Sequence, residues 1–400
     1  MTARVVIAAR LCAAGAALLL GCGDGASSED GGARQQPPRS SERDAQTGGE
    51  PDGGGDDASS GHDAAPLADA GGAGSSPDPV ANDAGLDCAE VTTQLPDDLS
   101  CTGLYTDVEN KQVASNVREF APSHELWSDG ADKQRWIHLP EGTRIDSADP
   151  DDWRFPVGTK LFKEFSWNGK RVETRVFWKT GATLWLKAAY HWNEDETAAT
   201  RFAGGEVDVA GDSYYIPSAK ECDQCHKGRV DRALGFELIS LALPGASGMT
   251  LTKLIDEDLL TDAPAQTELA IGDDGSGQAA PALGWLHVNC GVSCHNANPA
   301  AEGYASDLRL RLPAEGLDGR SSAEFDTVAT TVGVVTQTPR WLGRTLITPG
   351  SPEDSWLYVL ASTRDPSKPK DQMPPIASRR IDDDGLMQLA TWIRGLPATP

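Results

Sequence analysis

The chain has 400 residues, a formal net charge of −25 at pH 7 and a hydrophobic fraction of 39%. So acidic a chain is set against nucleic acid as a partner, because the phosphate backbone is held mainly by Lys and Arg. Its length allows two or three domains, but the first quarter has the composition of an address label and a spacer rather than of a core.

Arg4 and Arg10 flank an apolar run that ends Leu18-Leu19-Leu20-Gly21-Cys22. The run is too short to span a bilayer, and a small residue near its end marks a signal peptide over residues 1–22. Leu19-Leu20-Gly21-Cys22 resembles the lipobox of bacterial lipoproteins, which implies that Cys22 takes lipid and anchors the chain to a membrane in the cell envelope. The plainer alternative is a signal peptide that happens to contain cysteine. Residues 23–87 are rich in Gly, Ser, Ala, Asp and Pro, hold no aromatic residue, and carry 14 acidic against 3 basic side chains. Such a segment cannot bury enough surface to offset its ordering entropy, and its charge extends it as a solvated tether. Of the 8 cysteines, Cys12 leaves with the signal and four fall in two downstream motifs. Cys88 and Cys101 remain at the start of the globular part and are expected to close a short loop as a disulfide.

Residues 88–215 hold seven of the 11 tryptophans and show a period of two. Bulky and polar residues largely alternate over 161–167, and Asn168-Gly169 supplies a two-residue hairpin turn. A return strand follows over 171–178, a turn at Thr180-Gly181 and a third strand over 183–192, with a further strand at 134–139. The prediction is an antiparallel sheet or sandwich with one apolar face. Asp129, Asp132, Glu194, Asp195 and Glu196 read as turns and solvated strand ends rather than a catalytic set. His124, His138 and His191 read as structural histidines, one of which could reach a haem.

The next stretch is Glu221-Cys222-Asp223-Gln224-Cys225-His226, a C-x-x-C-H. Two thiols three residues apart on one helical turn can add to the two vinyl groups of haem, and the histidine that follows can ligate the iron. A zinc site would need a second ligand pair, and a thioredoxin-type redox pair would need a βαβ setting that the flanking pattern lacks.

Leu126-Trp127-Ser128-Asp129-Gly130-Ala131-Asp132-Lys133-Gln134-Arg135-Trp136-Ile137-His138-Leu139-Pro140 resembles the opening of a family of exported bacterial di-haem c-type cytochromes. Phe155-Pro156-Val157-Gly158-Thr159, Trp192-Asn193-Glu194-Asp195 and Pro217-Ser218 ahead of the C-x-x-C-H resemble that family too, in the same order. The resemblance runs from about residue 120 to the end. It implies haem binding and electron transfer, with a redox partner protein that it does not identify.

Within 216–400, helices are expected over 229–243, 248–260, 281–288 and 383–395, the last with an apolar stripe. A Gly/Asp-rich loop covers 272–278. The alternation over 308–312 predicts a strand, paired with 344–347, and 349–358 resembles the capped helix start that precedes a Met-Pro-Pro loop in cytochrome-like domains. Here that loop is Met373-Pro374-Pro375. The second cysteine motif, Cys290-Gly291-Val292-Ser293-Cys294-His295, has three residues between its cysteines. At i,i+4 the two thiols would still share an α-helix face. A second haem c held by Cys290, Cys294 and His295, with Met373 as the other axial ligand, is the leading expectation. A Cys290–Cys294 disulfide, or a soft metal site of His287, His295 and Met373, stays open beside it. For the distal side of the first haem, Met249, His191 and His287 are candidates.

The sequence thus predicts an α+β protein with an antiparallel β domain over 88–215 and a mainly α, cytochrome c-like haem region over 216–400. Its expected role is electron transfer at the periplasmic face or the cell surface. The alternatives are a haem oxidoreductase whose β domain binds a small molecule, and a binding lipoprotein without haem.

Overall fold

The computed structural model describes residues 88, 91, 93–317 and 319–397. The predicted signal peptide, Cys22 and the tether lie outside the described residues. All that follows belongs to the compact unit Ala73–Pro400.

The protein is α+β, an antiparallel sheet region followed by a mainly helical one. The strands are β1 (Tyr105–Asp107), β2 (Gln112–Val113), β3 (Arg118–Ala121), β4 (Asp132–His138), β5 (Lys160–Trp167), β6 (Lys170–Lys179), β7 (Trp185–Trp192), β8 (Ala199–Phe202), β9 (Gly205–Val209), β10 (Asp212–Ile216) and β11 (Ser247–Gly248). A seven-stranded antiparallel sheet runs β11-β3-β4-β5-β6-β7-β8, and β9 and β10 form a separate hairpin. The β5–β6 turn takes positive φ at both Asn168 (52°) and Gly169 (76°), as an Asn-Gly turn that matches strand twist must.

Both faces of the sheet are buried, not one. Phe162, Val176 and Tyr190 pack on one side under Leu99 and Leu104 of the N-terminal segment. Leu161 and Phe177 pack on the other side into a core shared with Leu283, Leu286 and Trp392 of the helical region. A meander between two layers has no solvent side, which is why strict alternation fails along β5. Cys88 is disulfide-bonded to Cys101, 13 residues on.

The helices are α1 (Ala219–His226), α2 (Leu238–Ala242), α3 (Leu251–Asp256), α4 (Ala279–Leu286), α5 (Asp326–Ala329), α6 (Trp356–Ala361) and α7 (Asp383–Gly395). Only 238–242 of the helix expected over 229–243 forms. Arg232 and Gly235 take positive φ (59° and 83°), and buried Asp231 accepts from Lys179 Nζ at 2.6 Å, Phe155 N at 2.6 Å and Trp185 Nε1 at 2.9 Å. These long-range bonds hold 229–235 as an irregular strap across the adjoining ends of β6 and β7. The helix expected over 248–260 is likewise short, because Ser247 and Gly248 pair with β3. The 308–312 strand does not form: its backbone donors go to His295 O, from Leu310 N at 2.8 Å, and to the His287 ring, from Leu312 N at 2.9 Å. Residues of 344–347 instead bridge to Val332 and Val335. α6 starts at Ser355, but the Ser355 hydroxyl bonds to the preceding loop rather than capping the helix. α7 buries Leu386, Leu389, Ala390, Trp392 and Ile393 against α4 and α6 and leaves Met387 exposed. Among the described residues no helix is long and apolar enough to cross a membrane.

Candidate functional site

β10 delivers the chain through Pro217 into α1, whose start is fixed by a reciprocal cap. Ser218 N donates to Glu221 Oε2 at 2.9 Å while the Ser218 hydroxyl accepts from Glu221 N. Tyr215 OH holds the same carboxylate at 2.8 Å. Cys222, Cys225 and His226 follow on this short helix, and all three line a cavity of about 650 Å³ between α1, the sheet and the second motif. None of the helix's residues is fully buried, because the face that would meet a core meets this cavity.

The His226 ring is oriented from two sides. It stacks on Phe177 of β6 with centroids 3.9 Å apart, and its Nδ1 lies 2.6 Å from Arg232 O. A carbonyl can only accept, so Nδ1 carries the proton and Nε2 is left bare. The positive φ of Arg232 thus has a use: it turns that carbonyl to the ring. Burial first, then Lys163 and Arg175, holds the His226 pKa well below the ordinary histidine range. A neutral imidazole with a bare nitrogen is the form that ligates a metal. Gln224 Oε1 in the same cavity is buried and has no hydrogen-bond partner.

The second motif begins where α4 ends. The backbone does not continue as an α-helix but widens into a π turn over His287–Gly291. Val292 N donates to His287 O and His295 N to Cys290 O, both at 2.8 Å. A π turn is what one inserted residue makes of a helix, so the extra residue between the cysteines appears here as a bulge. It overturns the expectation of a shared helix face: Cys290 lines a second cavity while Cys294 lines the first. Gly291 backs the bulge, since a Cβ there would lie 2.4 Å from Arg311 N and from Leu310 O.

The second cavity is mostly apolar, and both His295 and Met373 line it. The Ser306 hydroxyl donates to Gly303 O at 2.6 Å and therefore accepts from His295 Nδ1 at 3.0 Å, so this ring too is left with a bare Nε2. Burial, then Arg309, lowers the His295 pKa to about 4. Met373 is held at both ends of its backbone, its N–H donating to Leu360 O at 2.9 Å and its carbonyl accepting from Arg364 at 3.2 Å. Trp356 Nε1 and Arg364 Nε, on the same walls, are buried and lack a hydrogen-bond partner. As the side chains stand the space is about 90 Å³, so a planar cofactor would have to part these walls.

The two motifs touch. A Cβ on Gly228 would lie 1.8 Å from Ser293 O, Asn298 Nδ2 donates to Gly228 O at 3.3 Å, and Lys227 pairs with Glu302 at 2.7 Å. The Cys294 thiol donates to Cys225 sulfur, and this bond, aided by Arg175 and Lys163 against burial, holds the Cys225 pKa below its ordinary value. Burial pushes Cys222 up, and Cys290 up to about 12.

The other predicted residues fall elsewhere. Met249 is in the core, bonded through its N–H to Glu119 O at 2.9 Å. His191 lies on β7 against Phe202. His287 is buried and does not line the cavity of Met373: its Nδ1 accepts from Leu312 N and its Nε2–H faces Glu237 at 3.4 Å, so neither ring nitrogen is left for a ligand. His124 is the histidine, besides His226, that reaches the first cavity, with its ring edge against Gly284 of α4. No periodicity singles it out; its neighbours in sequence, Glu125 and Leu126, do open the Leu-Trp-Ser-Asp-Gly stretch. Among the described residues no group of three or more His, Cys, Asp or Glu side chains stands together as a metal site. The chain matches no family model, no curated protein and no solved structure.

Proposed function

We propose that the chain is an exported electron-transfer protein that carries haem c at Cys222, Cys225 and His226. A second haem would be held by His295 and Met373, which line one cavity with Cys290, while Cys294 opens on the other cavity. The observation that carries the reading is that both thiols of the C-x-x-C-H and a histidine with a bare Nε2 open into one cavity of about 650 Å³, within the usual size of ligand sites. The unpartnered Gln224 Oε1, Trp356 Nε1 and Arg364 Nε fit walls meant to meet a polar-edged group.

Attachment is redox-neutral. Each thiol adds across a vinyl double bond, sulfur to one carbon and its hydrogen to the other. Reversible one-electron exchange at iron is the chemistry that haem would supply. The chain's own residues orient the imidazoles through Arg232 O and Ser306 Oγ, exclude water from the second site with apolar walls, and keep the two motifs in contact. Lipid on Cys22 would tether this unit to the envelope membrane through residues 23–87.

One observation favours a narrower reading of the second motif. Because Cys290 and Cys294 open on different cavities, attachment there would run through Cys290 alone. The test is haem-linked peroxidase staining of the exported protein on denaturing gels, with peptide masses. Cys222→Ala with Cys225→Ala should remove at least half of the stain, and an unchanged stain would overturn the first site. Haem mass on Cys290 without Cys294 selects the narrower reading; haem on neither removes the second site.

A further inference from the structure

One wall of the first cavity is a row of cations. Arg135 of β4, Lys163 of β5 and Arg175 of β6 are successive register partners, so their side chains leave the same face of the sheet. Lys133 stands two residues from Arg135 on that face, and all four line the cavity. Like charges directly opposite on adjacent strands are destabilising, and a chain with a net charge of −25 has anions to spare. Yet they are not spent here. Glu125 serves both Lys133 at 3.4 Å and Arg135 at 3.1 Å, and Glu173 serves Arg175 at 2.5 Å.

Among the described residues Lys163 alone in this row has no ion-pair or hydrogen-bond partner. It is ringed by protein and keeps accessible surface only in part, and the cavity is where that surface lies. Burial first, then Arg135, Lys133 and Arg175, push its pKa down to about 7. The other carboxylates on the cavity wall are committed. Asp129 accepts from the backbone of Arg379 and Arg380 at 2.9 Å, Glu221 caps α1, and Glu302 pairs with Lys227. The row therefore sets four basic side chains against two carboxylates, and an anion joining Lys163 would hold it in its charged form.

We propose that this ladder, centred on Lys163, binds the two carboxylates of the porphyrin attached at Cys222 and Cys225. The inference deepens the reading of the first site and rests on it. Attachment through the vinyl groups leaves both porphyrin carboxylates free to meet that wall. A free dicarboxylate would present the same chemistry, so the experiment must read the porphyrin's own groups.

Resonance Raman spectra of the full-length haem-loaded protein do so, because the bending mode of the porphyrin carboxylates reports their hydrogen bonding. The difference spectrum between wild type and Lys163→Met isolates the first site. That mode should shift to lower frequency in Lys163→Met and return towards the wild-type position in Lys163→Arg. If Lys163→Met does not accumulate, Lys163→Gln, which keeps a donor without the charge, should give a smaller shift of the same sign. A wild type with no covalent haem at Cys222 and Cys225 defeats the electron-transfer reading and this inference together. A haem-loaded wild type whose carboxylate mode ignores both neutral substitutions overturns this inference alone and assigns the ladder to a free anion.

Discussion

Which ring nitrogen holds the proton decides what each histidine here can do. His226 and His295 donate from Nδ1 to Arg232 O and Ser306 Oγ and keep Nε2 free, whereas His287 accepts at Nδ1 and has no free nitrogen. A donor bond from Nδ1 raises the basicity of a ligating imidazole. At the proposed second haem, Ser306→Ala should therefore weaken His295 as a ligand to oxidised iron and raise the potential. A loss of roughly tenfold in relative affinity corresponds to ~60 mV for one electron, read by redox titration. Glu237 makes the opposite case, a carboxylate kept for structure. Burial acts to raise its pKa, but the hydrogen bond with His287, the nearby Arg229 guanidinium and the bond from Ser240 outweigh it, so it ends well below the ordinary carboxylate range. It also caps α2 through Ser240 N at 2.7 Å. A depressed folded-state pKa means stability that is present above the unfolded value, about 4.3, and lost as the pH falls towards the folded one. Glu237→Gln should cost about 1–3 kcal/mol near neutral pH. The difference from wild type should shrink as the pH drops below about 4, measured by urea unfolding at each pH.

At the scale of elements, the contact between the residues that follow α1 and those that follow the π turn sets the distance between the two motifs. Gly228 is the point of closest approach, with no room for a Cβ beside Ser293 O. Gly228→Ala must push the motifs apart. It should destabilise the protein by about 1–3 kcal/mol and release the Cys225–Cys294 thiol contact, seen as slower alkylation of Cys225 in haem-free protein once its thiolate is no longer favoured. The central meander was legible from sequence because the partial alternation over 161–167 and the turns at Asn168-Gly169 and Thr180-Gly181 act locally. α7 was legible for the same reason, its apolar stripe falling within one uninterrupted helix. The strap at 229–235 was not, because Asp231 is claimed by partners 46, 52 and 76 residues away. The π turn was visible only as one residue too many between two cysteines, with nothing to say which way each thiol would face. The cation ladder needed strand register: Arg135, Lys163 and Arg175 are unremarkable until β4, β5 and β6 are paired.

For the whole molecule, the change from sheet to helix near residue 216 is a change of secondary structure within one core. Phe120, Ile137, Leu161 and Phe177 of the sheet share a continuous apolar cluster with Leu241, Leu283, Leu286 and Trp392 of the helices. The buried Lys179–Asp231 pair and β11, a strand from the helical region added to the sheet beside β3, cross the same boundary. Removing the helices would bare one face of the sheet, and removing the sheet would strip the wall from the first cavity. Either part alone would lose the apolar cluster that the two share. The two regions should therefore unfold together. Denaturant curves followed by tryptophan fluorescence, to which the sheet region contributes seven of the 11 indoles, and by absorbance of the proposed haem should share one midpoint and one slope. Two separated transitions, with the fluorescence change completed while haem absorbance still holds its native value, would show instead two units that fold independently on either side of Pro217.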